Sequence, residues 1–387
     1  MHKIKTLNKI AHVGLEYLEQ HGFSVSDDAA APTGILVRSA DMHEYDFNPE
    51  LLAIARAGAG TNNIPIDKCS KSGIVVFNTP GANAEAVKEL AICAILMASR
   101  DVVGGIEWVR GLAGTDGDIT KMVEKSKGGF TGPEIMGKTL GVIGLGAVGS
   151  KLANAALELG MMVYGYDPFL SVEAAWKLSG SVKHAHDLDT IYRNCDYISV
   201  HVPYLPDTHH MLSDDAFAKM RDGVRIINLA RGELVDDDAM LRALDSGKVA
   251  KYVTDFPNAK TVTFPNTIPL PHLGASTPES EEKCAAMAAR EITDYLLNGN
   301  IKNSVNLPSV KLDRMGESRL CVIHQNKPRA INKILDLIGD KNINIAHMIN
   351  KPRGEYAYTM IDTDSAVSAD IVEQVAAMDF VFRVRVL

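Results

Sequence analysis

Short apolar runs alternate with helical patterns along most of the chain. Ile35-Leu36-Val37 and Gly73-Ile74-Val75-Val76-Phe77 are apolar without alternation, as expected of parallel strands buried on both faces. Pro49–Arg56 and Ala84–Ser99 read as helices, the second apolar nearly all round, which predicts burial and contact with a second copy of the chain. Gly111–Gly132, rich in glycine and charge, reads as a loop. From Thr139 the rhythm becomes regular, with strand candidates ending at Ile143, Tyr166, Val202, Leu229, Asp255 and Leu270. Helical patterns between most of them predict right-handed βαβ crossovers and a parallel, doubly wound sheet.

A further helix begins after Thr277, a natural N-cap, with Pro278 at its first position and Glu279, Glu281 and Glu282 in its early turns. It runs to Leu297, and Asn298–Gly316, rich in Asn, Pro and Gly, marks a boundary. Beyond it, Leu320–His324, a stripe at Ile331, Ile334, Leu335 and Ile338, the pair Ile343–Ile349 and Tyr356–Asp362, a second stripe at Ile371, Val372, Val375 and Met378, and Phe380–Val386 spell βαββαβ.

Composition narrows the function classes. With 46% apolar and 23% charged residues over 387 positions, the chain is an ordinary globular protein rather than a disordered one. A net charge of −8 without a basic tract argues against nucleic acid and anionic membranes. Five scattered cysteines (Cys69, Cys93, Cys195, Cys284, Cys321) show no zinc spacing and predict free thiols in a reducing, cytoplasmic setting, with no metal. The polar start and the short apolar stretch Leu90–Ala98 predict neither signal peptide nor membrane span.

The chemistry concentrates after strand ends. Gly144-Leu145-Gly146-Ala147-Val148-Gly149 follows a strand and opens a helix; such glycines permit a tight turn, close approach to a pyrophosphate and close helix packing. Asp167 ends the next strand, where a carboxylate binds the ribose hydroxyls of NAD and repels the 2′-phosphate of NADP. Arg231, straight after Val224–Ile227, has the bidentate geometry to grip a carboxylate. His272, past another strand end, can exchange a proton near neutral pH. Asp255 is placed to orient a nicotinamide carboxamide or Arg231.

With His201-Val202-Pro203, Asn228–Gly232 and Pro271–Thr277, these residues resemble the signature set of the D-isomer-specific 2-hydroxyacid dehydrogenases over residues 30 to 310. Arg38-Ser39, Ala57–Asn63 and His272–Thr277 are most similar to family members that act on a phosphorylated glycerate. The resemblance implies two Rossmann-like domains, a nucleotide domain (96–283) inserted in a substrate domain (1–95 and 284–312), and a homodimer. It implies an NAD site at Gly144, Gly146, Ala147, Val148, Gly149, Asp167, His201, Val202, Pro203, Leu229, Ala230, Asp255, Gly274 and Ala275. Arg231 and His272 are the implied catalytic residues, Arg231 on the substrate carboxylate and His272 as acid/base. Ala59-Gly60 amides would hold the carboxylate, and Arg38 with Ser39 would meet the phosphate. Residues 317–387 resemble an ACT domain, an α+β amino-acid-sensing module.

Two departures stand out. The family pattern has a glutamate five residues after the Asp255 position, the usual partner of the catalytic histidine; here Lys260 stands there. In the ACT-like part, His324, Asn326 and Asn344 match effector-binding positions, but Arg329 replaces the usual glycine, so an amino-acid effector is expected and L-serine is doubtful. The expected activity is NAD-dependent oxidation of D-3-phosphoglycerate to 3-phosphohydroxypyruvate, with another D-2-hydroxy acid or reduction of 2-oxoglutarate as the alternative. A reading of a different class is an NAD-binding regulatory protein with weak catalysis.

Overall fold

A computed structural model describes residues 2–387. The chain divides into two compact units: residues up to Asn83 together with Pro278–Leu387, and Ala84–Thr277.

The first unit contains two sheets. Strands β1 (Lys3–Leu7), β2 (Ser24–Ser26), β3 (Gly34–Val37), β4 (Ala53–Arg56) and β5 (Val75–Phe77) form a parallel sheet in the order β2-β1-β3-β4-β5. The helix Pro278–Asn298 packs on it through Ala285, Ala288, Ala289 and Ile292. The stretch Pro49–Arg56 is not a helix, because Ala53, Ile54 and Ala55 are buried between β3 and β5 and their apolar run fills both faces of a four-residue strand. β1 had no counterpart in the sequence reading; Ile4 alone of its residues is fully buried, too thin an alternation to be seen.

The terminal segment forms the antiparallel order β14-β15-β13-β16, from β13 (Ser318–Gln325), β14 (Ile345–Arg353), β15 (Tyr356–Thr363) and β16 (Val381–Val386), with helices Ala330–Gly339 and Ala369–Ala376. Leu320, Val322 and Ile361 face these helices. Cys321, Ile323, Tyr358 and Met360, one step out of phase, join the core around Phe77 and Tyr295 instead. The linker follows the same body closely: Phe77 pairs with Ser304, Ile301 with Val310, and Asn306 bonds Val76 and Ile74 of the β5 segment.

The second unit is a seven-stranded parallel sheet in the order β12-β11-β10-β9-β6-β7-β8. Its strands are β6 (Thr139–Ile143), β7 (Met162–Tyr166), β8 (Lys183–His184), β9 (Tyr197–Val200), β10 (Val224–Asn228), β11 (Val249–Thr254) and β12 (Thr267–Pro269). The order reverses between β9 and β6, which opens a crevice at the carboxyl ends of the central strands. Ala84–Ser99 is helical, buried through Ala91, Ala94, Ile95 and Ala98 but open at Cys93 and Leu96, so it is one-sided rather than enclosed. Gly111–Gly132 is not all loop: it contains the helix Ile119–Ser126, started by the Asp118 side chain accepting from the Lys121 amide.

Candidate active site

The glycines of the second unit each meet a distinct steric demand. Gly144 has φ +92°, and a Cβ there would lie 2.7 Å from the His201 carbonyl oxygen. A Cβ on Gly149 would lie 1.9 Å from the Gly144 carbonyl oxygen, so helix and strand close up only without one. Gly146 is the opposite case, with nothing within 4 Å of its would-be Cβ, and it caps the helix Ala147–Glu158. An open, bare backbone at a helix N-terminus suits the pyrophosphate of a dinucleotide.

Asp167, one residue past β7, accepts from the Leu145 amide through Oδ2 and from the Phe169 amide through Oδ1, each at 2.9 Å. Those bonds fix the carboxylate over the glycine turn and leave each oxygen further acceptor capacity for a ribose diol. His201 follows β9; its Nε2 lies 2.8 Å from Ser199 Oγ, and burial pushes its pKa down to about 4, so the ring is neutral at physiological pH. Val202 and Ala230 pack against one core of this unit, and Leu229 is buried in the other.

Arg231 sits at the carboxyl end of β10. Buried Asn228 fixes the turn from both sides, donating to the Arg231 carbonyl at 2.8 Å and accepting from the Ala230 amide at 3.1 Å. The guanidinium lies 5.6 Å from the Phe256 ring centre, and the same ring stands 4.5 Å from the His272 imidazole. Arg231 and His272 are thus both exposed while sharing one aromatic wall. Asn228 stands in the Asn228–Gly232 signature, which gave it no role of its own; Phe256, between the Asp255 and Pro257 positions, carried no signal beyond its neighbours.

Asp255 lies beneath them, 1% exposed, and neither carboxylate oxygen has a side-chain hydrogen-bond partner among the described residues; the backbone amides of Gly274 and of Asp255 itself are the donors that approach it. Burial raises its pKa, and the charge of His272 does most to oppose that rise. A Cβ on Gly274 would come within 3.4 Å of Oδ2, so the Pro271–Thr277 turn approaches Asp255 as bare backbone. Lys260, at the family's glutamate position, is turned to solvent with Nζ 2.8 Å from Asp238.

In the first unit, Arg38 and Ser39 follow β3. Asn8, with φ +70°, accepts from the Ser39 and Ala40 amides at 3.0 and 2.6 Å and so shapes that turn; sequence reading missed it. Arg38 Nη2 lies 2.8 Å from Glu281 Oε1, with both side chains about 40% exposed. A pair this exposed is worth roughly 0–1 kcal/mol, so a phosphate can displace the glutamate. Ala59 and Gly60 follow β4; Asn78 Nδ2 donates to the Ala59 carbonyl at 2.6 Å. His324 is 1% exposed, with Nδ1 2.8 Å from the Gln325 carbonyl and Nε2 2.8 Å from Thr359 Oγ1. Asn326 donates to the Gly354 carbonyl, the Asn344 carbonyl accepts from Asp364, and Arg329 holds φ +65°, the conformation that glycine adopts without penalty.

Residues 92–274 match the family model of the D-isomer specific 2-hydroxyacid dehydrogenase, NAD binding domain. The chain is 33% identical over 352 residues to the D-3-phosphoglycerate dehydrogenase of Haemophilus influenzae, covering 88% of this chain and 82% of that one. It is 31% identical to the enzyme of the same name from Bacillus subtilis, of which the match spans 61%. Among solved structures, the NAD+-bound 3-phosphoglycerate dehydrogenase of Entamoeba histolytica is similar at a TM-score of 0.61 and 27% identity, covering 79% of this chain and 98% of that one. No helix among the described residues is long and apolar enough to cross a membrane. With its glycine turn, the anchored carboxylate that follows β7 and this match over most of its length, the chain belongs to the NAD-dependent D-isomer-specific 2-hydroxyacid dehydrogenases.

Proposed function

We propose that the chain oxidises D-3-phosphoglycerate to 3-phosphohydroxypyruvate, the step that opens L-serine synthesis. The observation that carries this reading is the pairing of Arg231 and His272 across Phe256 at strand ends of the nucleotide-binding sheet. Bound NAD supplies a hydride acceptor at its nicotinamide. Arg231 grips the substrate carboxylate and polarises C2, while His272 takes the hydroxyl proton as the C2 hydride departs. On the resemblance to the family, the Gly60 amide is assigned to the substrate carboxylate as well, and Arg38 with Ser39 to its phosphate. Asp255, a buried carboxylate with no side-chain donor, suits the carboxamide N–H of the nicotinamide and steadies positive charge on His272. It is the acid that stands in for the missing glutamate. Gly274 and Ala275 line the same turn.

The terminal sheet is the ACT-like part of this proposal, and it serves association more than serine sensing. His324 is already engaged at both nitrogens, which favours that role. The open face of Ala84–Ser99 fits a homodimer, and the cytoplasm is the expected setting. Lys260 in place of the glutamate favours one other reading, a regulatory NAD-binding protein. Turnover of D-3-phosphoglycerate with NAD separates the two: NADH formation supports the enzyme, and tight NAD binding without turnover supports the regulator.

A further inference from the structure

The helix Pro278–Asn298 carries a carboxyl group to which the mechanism gives no task. Glu291 is 7% exposed; its Oε1 accepts from Asn303 Nδ2 at 2.6 Å, and its Oε2 has no hydrogen-bond partner among the described residues. Asn303 is held at φ +56° on the linker, beside the bridge that joins Ser304 to Phe77. Its carbonyl accepts from the Asn78 amide at 3.3 Å, and the Asn78 side chain in turn donates to the Ala59 carbonyl at 2.6 Å. Next to it, the Thr79 amide donates to the Gly58 carbonyl at 3.1 Å. In a planar trans peptide the N–H points opposite to the C=O, so holding the Ala59 oxygen toward Asn78 turns the Gly60 N–H the other way.

We propose that Glu291 is a positioning residue for substrate binding: through Asn303 and Asn78 it sets the direction of the Gly60 amide, and its ionisation releases that amide. The proposal rests on the reading of Ala59-Gly60 as the carboxylate cradle. In the neutral acid the unpartnered Oε2 costs less than a buried charge does. As an anion it demands hydration or donors that the site lacks. Meeting that demand opens the contact between helix and linker and carries Asn303, Asn78 and the loop with it. The ionised group acting on Glu291 is Lys302 on the linker, whereas β5 and the Gly58–Gly60 loop offer neutral Asn78 and Thr79. Burial pushes Glu291 up to about 8, with the Asn303 bond and Lys302 opposing. The transition therefore falls just above neutrality, after the substrate phosphate has completed its second ionisation near about 6.

The test is the pH dependence of KM for D-3-phosphoglycerate, with kcat and the KM for NAD measured alongside. In the unmodified enzyme the substrate KM should rise on the order of ten-fold above about pH 8, the scale of one hydrogen bond to a charged group, while the KM for NAD stays level. Glu291→Gln keeps an acceptor for Asn303 and cannot ionise, so its KM should stay low and flat across that range. Glu291→Ala should raise KM at every pH with kcat retained, and its melting temperature separates a loosened loop from an unfolded chain. A wild-type KM that is level through pH 8, or a Glu291→Gln enzyme that keeps the same rise, overturns the proposal. Gly60→Pro, which lacks the N–H, separates the two layers. An unchanged KM in that variant refutes the cradle and with it the relay. A raised KM there, together with silent Glu291 variants, refutes the relay alone.

Discussion

Both oxygens of Asp167 are anchored by backbone amides over the glycine turn, and the proposed function gives this fixed charge the choice of cofactor, since it would meet a 2′-phosphate with like charge. NAD should be strongly preferred to NADP. Asp167→Ala should lower kcat/KM for NAD by about ten-fold, the worth of a hydrogen bond to a charged group, and narrow the preference. Equal kcat/KM for both cofactors in the unmodified enzyme would remove Asp167 from that role. His272→Ala should lose about 10²–10⁴-fold in kcat, the usual contribution of a positioned acid/base; a full-rate variant would exclude it. Arg38→Ala should slow D-3-phosphoglycerate more than D-glycerate, and equal slowing would show that Arg38 does not read the phosphate. Glu291 also makes stability depend on pH. Its folded pKa is raised to about 8, so between the ordinary carboxylate value and that point the unfolded chain releases a proton that the folded chain keeps. Stability is thus lost as pH rises through that window, and Glu291→Gln should gain on wild type in melting temperature more at pH 8 than near about 4.

At the scale of elements, what was legible followed the length of the pattern. The regular βαβ rhythm after Thr139 and the helix Ala84–Ser99 repeat long enough for the period to speak, and the glycine turn announces itself because each glycine answers a separate steric demand. β4 did not: a four-residue strand buried on both faces has no period, and Pro49-Glu50 before it imitates a helix start. Asn8, Asn78 and Phe256 escaped for another reason, since each acts on a residue distant in sequence or through a backbone atom that no motif encodes. The same holds for the pair that fastens the linker. Arg319 and Asp362 are 1% and 0% exposed and bond twice, at 2.6 and 2.7 Å, while Arg319 also donates to the Asn298 and Leu312 carbonyls. Burial opposes the charge of Asp362, yet the bonds from Arg319 and the Met315 amide hold it below the ordinary carboxylate range. Arg319→Met should therefore cost about 3–5 kcal/mol by stranding a buried carboxylate. Denaturant unfolding measures it, and a loss under about 1 kcal/mol, the worth of an exposed pair, would contradict the assignment.

For the whole molecule, the terminal segment was expected as a separate body, whereas its sheet shares a core with the first: Cys321, Ile323, Tyr358 and Met360 meet Phe77 and Tyr295. Arg383 ties β16 to the Ser72 and Pro49 carbonyls, and the Arg385 guanidinium lies 4.1 Å from the Tyr295 ring centre. A chain ending at Gly316 should thus lose much of its stability rather than be a trimmed enzyme freed of control, as its melting temperature would reveal. The account as a whole stands on one assay, NADH formation from D-3-phosphoglycerate beside D-glycerate, D-lactate and D-2-hydroxyglutarate at equal concentrations. The predicted result is that D-3-phosphoglycerate has the highest kcat/KM and that its turnover disappears with His272→Ala. No turnover of D-3-phosphoglycerate, or a higher kcat/KM for one of the unphosphorylated acids, would contradict it.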